Sequence, residues 1–159
     1  MPLVGQNPIR EFLPAQFWER WFDFFVYSLE FNPLVASAAA QQDTFTVDND
    51  SDFLVLSIAC VETQTPAFAT EIPFPPVLLR LQDSGSGATW QDQPQQIVNI
   101  CGKMSVNGFG PGVLEVPRWV PAASTVTGEA TNLEATDRRL WIAFRGCKIY
   151  RSMRRNYGA

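Results

Sequence analysis

The densest group of acidic side chains is the run Asp48-Asn49-Asp50-Ser51-Asp52. Carboxylates at alternate positions open a calcium loop, where they wrap one cation. Such a loop also needs glycine at its sixth position and glutamate at its twelfth. Phe53 and Ala59 stand there instead, so the run reads as a solvated turn between strands. A glycosidase pair needs two carboxyl groups roughly 5–10 Å apart, and no motif among the 16 Asp and Glu residues brings two together. The glycine clusters Gly85–Gly87 and Gly108–Gly112 have neither the lysine and hydroxyl of a P-loop nor the order G-x-G-x-x-G. They read as flexible connections. Histidine is absent, which removes Ser-His-Asp and Cys-His nucleophiles and every histidine-containing metal site. Cys60, Cys101 and Cys147 lie 41 and 46 residues apart, with no C-x-x-C pair. These residues predict no catalytic site, no cofactor and no metal.

Charge narrows the partners. The net charge of −4 argues against a surface that tracks nucleic acid. Seven of the 12 basic residues follow Glu134 and are opposed there only by Asp137, so the chain ends in a short basic tail, 151–159. That tail suits an acidic protein surface at least as well as phosphates. No apolar run reaches the roughly 18 residues of a membrane helix; Phe17–Phe31 is interrupted by Glu19, Arg20, Asp23 and Glu30. Cys60 and Cys147 fall inside apolar strand patterns, as buried free thiols do. Their odd total and the lack of a signal-peptide pattern predict maturation in a reducing compartment.

The elements that must position these groups are mostly strands. Phe53–Val61 is apolar on both faces, as expected of a central strand covered twice. Thr44–Val47, Val77–Gln82, Ser124–Thr131 and Arg139–Tyr150 alternate or are rich in small and β-branched residues. Ile97–Cys101 and Val113–Val116 are weaker strand candidates around the glycine-rich connection Gly102–Gly112. In the last run Leu140, Ile142 and Phe144 share a face, but beyond Gly146 the apolar positions become Cys147 and Ile149. A glycine at such a change of phase predicts a β-bulge at or next to Gly146. Met1–Gln16, with three prolines, reads as an extended arm. Phe17–Phe31 fits a helical face in its front half and a strand in its back half, and is read as a short helix running into a strand. Eight short strands predict an all-β, jelly-roll-like antiparallel sandwich over 32–150, preceded by an aromatic-rich arm over 1–31.

Ten of the fifteen residues in Phe17–Phe31 are large and apolar. The block either covers one open end of the sandwich or offers an apolar surface to a partner. Trp90, Trp119 and Trp141 offer a second possibility, an aromatic platform for sugar rings. Packing against a partner subunit or under a loop is the plainer reading of each. The candidate interface is Phe17, Trp18, Trp21, Phe22, Phe24, Phe25, Trp141, Arg145, Arg151, Arg154 and Arg155.

The strand entered through NDSDF, then PVLLRLQDSGSGATW, PRWVPAASTVTGEATNL and the closing LWIAFRGCKIY resemble a group of small structural proteins of tailed bacteriophages. The resemblance covers about Asp43–Tyr150. It implies a jelly-roll capsid decoration, or cement, protein that sits as a homodimer or homotrimer on the major capsid protein. It also implies a place on the virion surface after assembly in the host cytoplasm. A carbohydrate- or receptor-binding module, such as a virion spike, is the alternative.

Overall fold

The computed structural model describes residues 22–36, 39–64, 76–101, 104–105, 108–109 and 112–151. The strands are β1 (Phe22–Leu34), β2 (Gln41–Thr46), β3 (Ser51–Gln64), β4 (Val77–Asp83) and β5 (Gln95–Gln96). After helix α1 (Ile97–Cys101) come β6 (Met104–Ser105), β7 (Gly108–Phe109), β8 (Gly112–Val120), β9 (Thr125–Asn132) and β10 (Arg138–Tyr150). One four-stranded sheet runs β1-β10-β3-β8 and the other β2-β9-β4-β5, while β6 and β7 pair only with each other. Setting that small ladder aside, the first strand pairs the last, the second the seventh, the third the sixth and the fourth the fifth, all antiparallel. This nested pairing, dealt alternately to two facing sheets, is a jelly roll.

Complementary side-chain sizes hold the sheets together. On β9 the inward positions are Val126, Gly128, Ala130 and Asn132, all buried. Gly128 leaves space for β1: a Cβ there would stand 2.4 Å from Cδ1 of Leu29. The core joins Leu29 and Phe31 to Phe53, Ile58, Leu79, Leu81, Leu140, Ile142 and Phe144. An aromatic series crosses it, with Tyr27 stacked on Phe45 at 4.8 Å, Phe45 beside Phe144 at 5.1 Å, and Trp90 edge-on to Phe144 at 5.9 Å. Such offset and edge contacts add to the area buried.

Several expectations change. The expected boundary at residue 31 runs through β1, whose Leu29 and Phe31 are core residues. From Phe22 onward the aromatic block is strand, not helix. Phe22 and Phe25 therefore lie on opposite faces and share no helical stripe. The expected arm Met1–Gln16, residues Phe17–Trp21 of the expected helix and the tail beyond Arg151 lie outside the described residues. Ile97–Cys101 is a helix, not a strand, because Ile97 and Cys101 bury one face at i, i+4 spacing. The strand expected at Val113–Val116 extends to Val120 and runs through Pro117. Proline is tolerated there because β8 is an edge strand and Leu114–Pro117 leave the ladder: Val55 faces Arg118 but Ser57 faces Val113.

The register shift expected near Gly146 is present, between Arg145 and Gly146, with its extra residue on the neighbouring strand. Arg145 faces Ser57 and Gly146 faces Val55, so Leu56 is the residue left over on β3. Pairing of β10 with β1 is continuous through this region. β10 therefore keeps its alternation, and the apolar residues change face. Leu140, Ile142 and Phe144 point into the core, whereas Cys147 and Ile149 join Leu54 in a second cluster.

Candidate docking face

Directly paired residues of antiparallel strands share a face, so the outer surface of the first sheet reads off the register. Its rows are Glu30–Trp141–Val61, Ser28–Ala143–Ala59, Val26–Arg145–Ser57, Phe24–Cys147–Leu54–Trp119 and Phe22–Ile149–Asp52. A sheet face turned to solvent is ordinarily polar; most of these positions are not. Phe24 is 75% exposed, Val26 53% and Val61 37%. Phe22, Leu56 and Trp119 pack over Leu54, Cys147 and Ile149, which are buried. Burial pushes the Cys147 thiol up to about 11, which keeps it protonated and inert. Arg145 is exposed in the middle of this surface, and among the described residues no carboxylate pairs with it. With rows about 6.6 Å apart and strands about 4.8 Å apart, the face covers on the order of 500 Å².

Charged groups gather at the end of the sheet where β2 turns into β3. Lys148 points inward beneath Phe25, its Nζ 3.3 Å from the ring centroid, and pairs with Asp48. The backbone N–H of Asp48 donates to the Tyr27 hydroxyl at 3.2 Å. Asp52 accepts from Ala122 N at 2.8 Å and from the Arg151 guanidinium at 2.8 Å. Two carboxylates of the D-x-D-x-D run are thus neutralised by cations at and just beyond the end of β10. Among the described residues no group of three metal-ligating side chains occurs, and no helix is long and apolar enough to cross a membrane.

The tryptophans do not make one platform. Trp119 lies in the Cys147 row, while Trp141 is six residues away along β10, roughly 20 Å. Trp90 is held elsewhere: its indole N–H donates to Asp83 at 3.1 Å, and the Arg118 guanidinium lies 5.5 Å from its ring centroid. Trp90 lines a cleft of about 380 Å³ with Gln91, Asn99, Glu115 and Arg118, between α1 and the part of β8 that leaves the ladder.

Of the expected interface residues, the structure brings Phe22, Phe24, Trp141 and Arg145 onto one face. Phe25 points the other way, onto Lys148, and Arg151 is engaged with Asp52. Phe17, Trp18, Trp21, Arg154 and Arg155 lie outside the described residues. The face also includes Val26, Leu54, Val61, Cys147 and Ile149, which were not expected there. For Leu54 and Val61 the signal was the doubly apolar run Phe53–Val61: β3 is central, but its second apolar side is the outer surface. Comparison of the chain with protein-family models, curated proteins and solved structures finds no match.

Proposed function

We propose that this chain is a structural virion protein, a cement subunit that binds and stabilises a bacteriophage capsid through the outer face of its first sheet. The observation that carries this reading is the largely apolar outer face of the first sheet, with Phe24, Val26 and Val61 exposed on it, on a jelly-roll scaffold; the resemblance to phage decoration proteins gives the partner. A face of about 500 Å² is smaller than the roughly 800 Å² per partner of a standard interface. Single contacts are then weak, and symmetric repetition across a shell, with assembly as a homodimer or homotrimer, supplies avidity. The major capsid protein is the partner, and the site of action is the capsid surface, after assembly in the host cytoplasm.

The test is decoration of capsids assembled without this protein. The double variant Phe24→Asp, Val26→Asp places two charges at exposed positions, so its melting temperature should stay within a few degrees of wild type. Its occupancy on capsids should fall at least tenfold. Full occupancy by the folded variant overturns the docking face. The glycan-binding alternative rests on the Trp90 cleft alone, and binding on a glycan array that Trp90→Ala abolishes would favour it.

A further inference from the structure

Two of the three cysteines meet inside the sandwich. Cys60 lies on the inward side of β3 opposite Ile142, and Cys101 is the last residue of α1. Both are buried, at 5% and 3% exposure, in the same core cluster. Helix α1 packs against β3, which brings the two thiols close enough to act on each other. Cys147 is on the opposite face of the first sheet and cannot reach either. Thiols this close need only side-chain rotation and a small approach to reach the roughly 2 Å bond of a disulfide.

We propose that Cys60 and Cys101 are a site of intramolecular disulfide formation, a covalent staple between α1 and the central strand β3. The oxidant is a small disulfide such as glutathione disulfide. One cysteine thiolate attacks it, forming a mixed disulfide and releasing one glutathione. The second cysteine thiolate then displaces the other glutathione as the Cys60–Cys101 bond forms. Two protein thiols lose two electrons and two protons, and one glutathione disulfide becomes two glutathione thiols. The setting rests on the virion reading: the dithiol form persists in a reducing cytoplasm, and the disulfide forms after release into oxidising surroundings.

The reaction is gated. The neighbouring Cys60 thiol and burial both raise the Cys101 pKa, so little thiolate exists at neutral pH. α1 has five residues, no acidic first turn and no basic last turn, and so short a helix holds only by its packing. Lifting it exposes both thiols without unfolding the sheets, and the rate of closure should rise with pH.

The experiment incubates the reduced, full-length protein with millimolar glutathione disulfide at pH 8.5. Thiols are then counted after denaturation and the intact mass is measured. The expected result is a fall from three free thiols to one, a loss of two hydrogens with no glutathione adduct, and a peptide linking Cys60 to Cys101. Closing a loop of this length should raise the melting temperature by roughly 5–15 °C. Cys60→Ala and Cys101→Ala should each abolish the rise, whereas Cys147→Ala should preserve it. Three free thiols after prolonged oxidation, a stable glutathione adduct or a link to Cys147 would each overturn the site. Thiol counts are read without capsids, so their failure is distinct from failure of the docking reading.

Discussion

Replacing Gly146 with alanine tests the packing logic of the first sheet at its tightest point. A Cβ at this position would lie 2.0 Å from the carbonyl oxygen of Leu54 and 3.0 Å from Cζ of Phe53. Carbon–oxygen contacts settle at about 3.3 Å or more, so β3 would have to retreat by roughly 1.3 Å. It cannot retreat freely, because it is paired with β10 on one side and β8 on the other. Overpacking a core costs about 1–3 kcal/mol, and a strained or lost ladder hydrogen bond adds about 1 kcal/mol. Gly146→Ala should therefore cost about 2–4 kcal/mol, or roughly 4–16 °C in melting temperature for a domain of this size. Gly87 is the control, with φ +65° and nothing within 4 Å of an added Cβ. Gly87→Ala carries only the conformational cost, about 1 kcal/mol. Urea unfolding followed by tryptophan fluorescence separates the two variants by midpoint at unchanged slope. A loss for Gly146→Ala no larger than that for Gly87→Ala would refute the argument that the displaced strand leaves space only for glycine.

Asp83→Ala should cost about 2–3 kcal/mol, because it strips a buried acceptor from the Trp90 indole and from the Ser86 N–H and hydroxyl. Tryptophan emission should shift to the red as Trp90 loosens, and unchanged emission would count against the clamp. For Lys148, burial lowers the pKa, but the hydrogen bonds and charges of Asp48 and Tyr27 outweigh it and hold the amine above 10.5. The stability this group contributes is complete below 10.5 and is lost as pH rises through the higher folded value. Lys148→Met should thus cost about 1–2 kcal/mol at pH 7. Melting curves of the two proteins should converge only above pH 10.5; a gap that persists at higher pH would show that packing, not charge, is responsible.

Strand positions were legible where one face is polar. Thr125, Thr127 and Glu129 alternate with Val126, Gly128 and Ala130, and β9 begins within a residue of where that alternation places it. Phe22–Phe25 was not legible, because both sides of β1 are apolar there and period two cannot be told from a helical stripe. The helix at Ile97–Cys101 was missed because β-branched residues suggest a strand, while the i, i+4 burial that decides it appears only once β3 and β8 are in place. The same gap hid the docking face. Leu54, Cys147 and Ile149 read as core, and which side of a sheet the core occupies is set by pairing with distant strands. Gly146 is the mixed case: its phase change located the irregularity, but the extra residue belongs to β3, nearly a hundred positions earlier.

The position of β10 has a consequence for synthesis. It is the last strand of the described fold to leave the ribosome, yet it lies between β1 and β3 at the centre of its sheet. Until it arrives, β1 has no strand to pair with in its sheet, and β3 exposes one long edge. The first sheet therefore cannot close before β10 is made; its folding is slow because its pairings span most of the described strands, and the chain is vulnerable to association in the interval. A nascent chain stalled before Arg138 should be sensitive to protease and dependent on chaperones, and should become resistant only when the final strand slots between its two waiting partners.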